Sequence, residues 1–215
     1  HYSAPTFGEK STMKKLFVII GLLLVSLLKV SSQNIPFQLE LEPFTINNLP
    51  GLHSYAYTIH DGKWLILGGR TNGLHGFQPP FAFPMATQNT NIYVVDPLQQ
   101  QVWSAGTTTL PQLIQEHVSS SNMEGVRLGN YFYFIGGYGY STAANDLITF
   151  PNITAIDVPG LMNAVINQQP IGGFFRQITH QNMALCGSRS ELIDSTVYLV
   201  FGHRFDGRYN PHNMP

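Results

Sequence analysis

The chain has 215 residues, of which 43% are hydrophobic and 12% aromatic, enough to bury a sizeable core. Only 11% are charged, the net charge is −1, and no basic block occurs, so the electrostatic footprint of a nucleic-acid binder is absent. A single cysteine, Cys186, excludes an intrachain disulfide, and 20 glycines and 14 prolines beside that aromatic content point to a turn-rich all-β chain.

Residues 1–12 fit no element and precede the first methionine, which reads as a mis-started extension ahead of Met13. Residues 13–32 carry the pattern of an export signal. Lys14 and Lys15 are followed by an unbroken apolar run from Leu16 to Leu28, then by Val30-Ser31-Ser32 as a small-residue cleavage site. That run is too short to span a bilayer, which takes about 20 apolar residues. The expected product has no membrane segment after signal removal and lies outside the cytoplasm: extracellular, on the cell surface or periplasmic. Across 33–51, Gln38-Leu39-Glu40-Leu41-Glu42 alternates polar and apolar, predicting a half-buried strand before the turn at Asn47–Gly51.

From Leu52 a pattern repeats. Trp64-Leu65-Ile66-Leu67 runs into Gly68-Gly69, Tyr131–Ile135 runs into Gly136-Gly137, and Val197–Phe201 runs into Gly202-His203. The spacing from Gly68 to Gly136 is 68 residues and from Gly136 to Gly202 is 66, self-similarity that marks a repeat architecture. In the first repeat, His53–Ile59 predicts a strand, Asp61-Gly62 a hairpin turn and Trp64–Gly68 a second strand. Arg70–Thr90 is a long loop, Asn91–Asp96 a third strand and Gln101–Ser104 a fourth. The second repeat reads as Asn122–Leu128, Tyr131–Gly136, a loop, Ile153–Asp157, then Leu161–Ile166 as a weak fourth strand or a helical turn after Pro159-Gly160. The third opens at Gln181–Cys186, inserts the polar Gly187–Ser195, and continues with Thr196–Gly202. These give blades over 52–117, 118–178 and 179–215, the last incomplete, each a run of short antiparallel strands.

An apolar run, a double glycine, a loop, then Ile92-Tyr93-Val94-Val95-Asp96 and Trp103, resembles a kelch repeat, the blade unit of kelch-type β-propellers. The motif positions are Gly68, Gly69, Tyr93, Asp96, Trp103, Gly136, Gly137, Asp157 and Gly202. The second repeat lacks the tryptophan, and His203 stands for the second glycine of the third. The resemblance is to exported bacterial kelch proteins, and it implies a partial propeller of about two and a half four-stranded blades. Propellers close with typically four to eight blades. Further blades of the same chain are therefore expected as partners, with the strand at 33–51 placed to close the ring.

In kelch propellers the loops after the double glycine gather on one face and form the usual binding surface. The implied ligand-binding residues are Arg70, Asn72 and His75, then Tyr138, Tyr140 and Asn145, then His203, Arg204, Arg208 and Tyr209. Phe77, Phe81, Phe83, Ser141 and Asp206 accompany them. Aromatics beside Arg and Asn suit flat polar ligands, so a glycan or protein ligand is expected on a non-catalytic binding module. The alternative is a carbohydrate-active propeller enzyme, of oxidase or mutarotase type, with its key residues in other blades.

No catalytic, cofactor or metal residue is assigned. Galactose oxidase, a copper enzyme on a kelch propeller, uses two tyrosines and two histidines, one tyrosine linked to a cysteine. Here Cys186 is distant in sequence from every loop tyrosine, and the 8 histidines show no paired metal-ligand spacing. Glu116, Glu124, Asp146 and Asp157 form no close sequence pair of the glycosidase kind. Asn152-Ile153-Thr154 is a glycosylation sequon.

Overall fold

The structure, a computed structural model, describes residues 37–212; the extension and export segment read from the sequence lie outside them. Residues up to Phe44 and those from Thr45 onward form separate units. In the first, residues 37–44 form no strand, and Phe37, Leu39, Leu41 and Phe44 are exposed. Alternation alone does not make a strand. Its amides and carbonyls need a partner backbone, and the described residues of this unit offer none.

From Thr45 the chain is all-β in class. The first sheet contains β1 (Ala56–His60), β2 (Lys63–Leu67), β3 (Asn91–Asp96) and β4 (Gln101–Gly106), hydrogen-bonded in sequence order as an antiparallel meander. The second contains β5 (Glu124–Leu128), β6 (Tyr131–Ile135), β9 (Asn152–Asp157) and β10 (Phe175–Thr179) in the same meander order. Between β6 and β9 lies a separate hairpin, β7 (Tyr138–Ser141) with β8 (Asp146–Thr149). The third repeat is a hairpin of β11 (Cys186–Ile193) and β12 (Thr196–His203).

Several expectations are corrected. Leu161–Ile166 is not a fourth strand but part of helix α2 (Val158–Ile166), which follows α1 (Gln112–Val118) in chain order. Its buried residues Val158, Leu161, Met162 and Val165 repeat at helical spacing, with a proline in the first turn where the missing N–H costs nothing. The fourth strand is β10, paired to β9 from Phe175↔Ile156 to Thr179↔Asn152. Gln181–Met183 is a 3₁₀ turn, and the supposed insertion Gly187–Ser195 is mostly strand β11, with Asp194 at φ 55° turning the hairpin.

The double glycines join one sheet to the next. Gly68 (φ 67°) and Gly69 (φ 83°), like Gly136 (φ 64°) and Gly137 (φ 95°), hold the left-handed conformation. The Gly69 N–H donates to the Ser120 carbonyl at 2.8 Å, and the Gly137 N–H to the Leu185 carbonyl at 2.8 Å. Each acceptor sits in the segment leading into the following repeat. A methyl group on Gly68 would lie 2.6 Å from the Ser120 oxygen, and one on Gly136 closer still to the Leu185 oxygen. The residue after each pair bridges back to the lead-in of its own repeat: His53↔Arg70, Ser121↔Tyr138 and Cys186↔His203. In the second and third repeats this bridge spans the same 17 positions. This register aligns Phe201-Gly202, not Gly202-His203, with the glycine pairs. Phe201 at φ 62° and Gly202 at φ 93° keep the same backbone.

The main core lies between the two sheets. Leu65, Leu67, Ile92 and Val94 of the first meet Phe132, Phe134 and Ile156 of the second, with Val118 and the apolar face of α2. The opposite face of the first sheet, with Ile66, Tyr93 and Val95, is covered by Ile46, Leu49 and Leu52. His117 is wholly enclosed. Its Nε2–H donates to the Gly136 carbonyl at 2.9 Å, which leaves Nδ1 to accept from the Thr154 hydroxyl at 2.7 Å. Burial drives its pKa down to about 3, so the ring is a neutral strut holding the second glycine pair.

Two outcomes are expected. Gly136→Ala destabilises the fold by about 2–4 kcal/mol, from left-handed strain plus the carbonyl collision. Gly129→Ala, at φ 58° with open space around it, costs only about 1 kcal/mol of strain; urea denaturation of the two variants measures the difference. Because His117 protonates more readily in the unfolded chain, stability falls as pH drops from about 6.5 towards 3. The slope reaches about 1.4 kcal/mol per pH unit. His117→Gln, compared over the same pH range, flattens that slope.

Candidate functional site

The loops that leave the glycine pairs start at corresponding points, so they run over the same end of the sheets. Arg70 opens the first and turns inward, with 1% of its surface exposed. Its guanidinium donates to Asn72 Oδ1 at 3.3 Å, to the Pro84 carbonyl at 3.0 Å and to Thr87 Oγ1, and lies 5.0 Å from the centre of the Phe83 ring. Among the described residues no carboxylate pairs with it, and burial lowers its pKa to about 10. Arg70 thus fastens the loop through residues 71–88 from within.

Beyond it, His75 and Phe83 of the first loop, Tyr138 of the second and His203, Phe205 and Tyr209 of the third line one cleft of about 180 Å³. The rings support one another. His75 sits 4.0 Å from Phe83 and 5.3 Å from Tyr209, and Tyr138 packs edge-on to Phe83 at 5.0 Å. His203 stacks on Phe205 at 5.9 Å. The Tyr138 hydroxyl donates to the Gly207 carbonyl at 2.6 Å, and burial raises its pKa to about 12. His75 Nδ1 donates to the Gly76 carbonyl at 2.7 Å, leaving Nε2 as an acceptor.

Sequence distance hid one juxtaposition. Cys186, at the start of β11, lines this cleft beside Tyr138. Its thiol donates to the His203 carbonyl at 3.4 Å and is raised by burial, so it stands as a protonated, buried thiol. Among the described residues, no three His, Cys, Asp or Glu side chains gather into a set able to hold a metal ion. Asn122 and Phe205 also line the cleft without having been expected there. Phe205 lies two residues after His203, and no pattern in the sequence singles it out.

Tyr140 and Asn145 are joined, hydroxyl to Oδ1, at 2.9 Å. With Arg208 and Pro79, Pro80 and Pro84 they line a second cleft of about 250 Å³. Asn72 is exposed, and Arg204 stands on the surface paired with Asp206 at 3.3 Å. The motif positions are structural. Asp96 Oδ1 accepts the Gln99 and Leu98 amides at 2.9 and 3.1 Å, its Oδ2 meets Lys63 Nζ at 3.3 Å, and these donors hold its pKa low. Tyr93 is buried, Trp103 packs against the main core, and Asp157 faces Tyr131 at the end of β9. The sequon lies in a central strand, where Asn152 Nδ2 donates to Thr179 Oγ1 at 2.9 Å and Thr154 is fully buried, so the folded chain does not present it. The chain matches no protein-family model and has no significant similarity to a curated protein.

Arg70→Met removes the guanidinium's bonds to Asn72, the Pro84 carbonyl and Thr87, while the Pro84 carbonyl keeps the Thr87 hydroxyl and amide as donors, at an expected cost of about 1–3 kcal/mol. Limited proteolysis then cuts between residues 71 and 88 faster than in the unaltered chain, with the two sheets otherwise retained.

Proposed function

We propose that the chain is a non-catalytic binding module, a kelch-type propeller segment exported by residues 13–32, whose loop face holds a sugar residue of a glycan. The observation that carries this reading is the convergence of three successive post-glycine loops on one aromatic cleft. A pyranose offers C–H faces to rings such as His203 and Tyr209 and hydroxyls to acceptors and donors such as His75 Nε2 and the Asn122 amide. A cleft of about 180 Å³ suits one such ring rather than a larger ligand. Arg70 supports the site without touching the ligand, because it is spent on its own loop.

A glycan-array screen of the full chain, followed by calorimetry on the best ligand, tests the reading. His203→Ala and Tyr209→Ala, with unchanged thermal unfolding, are each expected to weaken binding about tenfold or more. Binding that survives both substitutions places the ligand elsewhere. Turnover of the bound sugar would replace the binding module with an enzyme.

A further inference from the structure

The antiparallel order of each meander puts two kinds of connection at one end of the sheet. The loop from β2 to β3 and the segment from β4 into the next repeat both leave from the end marked by the glycine pair. The hairpin of β7 and β8 starts directly after the second glycine pair, at that same end. Where the loop up to Thr90, helix α1 and β7 meet, they enclose a third cleft, of about 530 Å³. It is built from the first and second repeats alone.

The three clefts adjoin one another. Phe83 lines both the aromatic cleft and the proline-rich second one, while Met85 and Tyr140 line both the second and the third. Tyr138 and Tyr140 set the direction of the row. As alternate residues of β7 they lie on one face of the strand, about 6.5 Å apart. The first stands in the aromatic cleft and the second between the other two. That step is comparable to one unit of a sugar chain.

The lining changes along the row in a way that suits such a chain. In the second cleft Pro79, Pro80 and Pro84 form an apolar wall with the Tyr140 ring. The third is polar. Among the described residues, the side chains of Gln88, Thr90 and Gln115 bond to no other protein group. Glu116 holds the wall in place, its Oε1 accepting from Gln112 Nε2 at 3.0 Å and from the Thr142 amide at 3.1 Å. Two side-chain amides, each offering a donor and an acceptor, match the mixed demands of neighbouring hydroxyls. Charge narrows the ligand class further. The clefts are lined by one cation, Arg208, and two carboxylates, Asp146 and Glu116, so no excess of positive charge favours an acidic sugar.

We propose that the three clefts are successive subsites of one groove that binds a linear, neutral oligosaccharide. The proposal rests on the sugar-binding reading of the aromatic cleft, which takes one unit. From there the chain continues past Phe83, over the prolines and the Tyr140 ring, and its hydroxyls meet Gln88, Thr90 and Gln115 in the third cleft.

Calorimetry of the full chain with saccharides from the monosaccharide to the pentasaccharide tests the proposal. The probes are the unbranched oligomer series of glucose, mannose, xylose and N-acetylglucosamine. In a series that binds, the trisaccharide is expected to bind about tenfold or more tightly than the monosaccharide. Gln88→Ala with Gln115→Ala, at unchanged thermal unfolding, brings that ratio close to one. His203→Ala weakens binding at every chain length, because it acts on the unit that all of them share. Equal affinity across chain lengths, with the dependence on His203 kept, overturns the groove and leaves the single-sugar reading standing. A gain with length that survives the double substitution also overturns it, since the added units then lie elsewhere. Failure of every series to bind overturns both readings.

Discussion

One backbone hydrogen bond sets the arrangement of everything else: the second glycine of a pair donating to the carbonyl of the next lead-in segment. It forms only because both residues of the pair hold positive φ, which turns the chain out of its strand with the N–H facing outward. It also needs the first residue to lack a side chain, since the Ser120 and Leu185 oxygens occupy the space a Cβ would take. His117 reinforces the second joint by donating to the Gly136 carbonyl, and the same ring accepts from Thr154 in β9. A buried neutral histidine thus ties the turn, the central strand and α1 together. Burial keeps the ring uncharged there, and the Nε2–H tautomer serves both neighbours.

The joint also fixes where the loops begin. The residue after each pair bridges to its own lead-in, so Arg70, Tyr138 and His203 leave the sheets at equivalent points. The cleft follows from that equivalence more than from any single residue, which is why its lining comes from three distant parts of the chain. Arg70 and Tyr138 show how one position serves different ends. Arg70 folds inward to fasten a long loop, while Tyr138 directs its hydroxyl across the cleft to the Gly207 carbonyl and leaves its ring to pack with Phe83 and Phe205.

The first sheet is legible from the sequence almost strand by strand, because its first turn carries Asp61-Gly62 and its central strands are apolar at successive positions. The second was legible as far as β9. There Val158, Leu161, Met162 and Val165 spell a helix face that competes with a strand reading over the same apolar run, and the true fourth strand follows it. The alternation at Gln38–Glu42 misled for the opposite reason: periodicity reports which face a strand would bury, not whether a partner exists. In the third repeat the pair falls one place earlier than its glycine suggests, because the chain uses Phe201 in the left-handed conformation and no sequence pattern marks a phenylalanine for it. Convergence of the loops was legible through the repeat, but the place of Cys186 in the cleft was not, since it depends on β11 pairing with β12.

Phe201 gives the joint its sharpest contrast. A bulky residue at φ 62° carries about 1–2 kcal/mol of strain that glycine avoids. At Gly68 and Gly136 that strain would come with a collision against the following lead-in, and glycine occupies both places. Phe201 is 89% exposed among the described residues. The left-handed turn itself therefore accepts a side chain, and the requirement for glycine at Gly68 and Gly136 comes from the approach of the Ser120 and Leu185 segments more than from the turn.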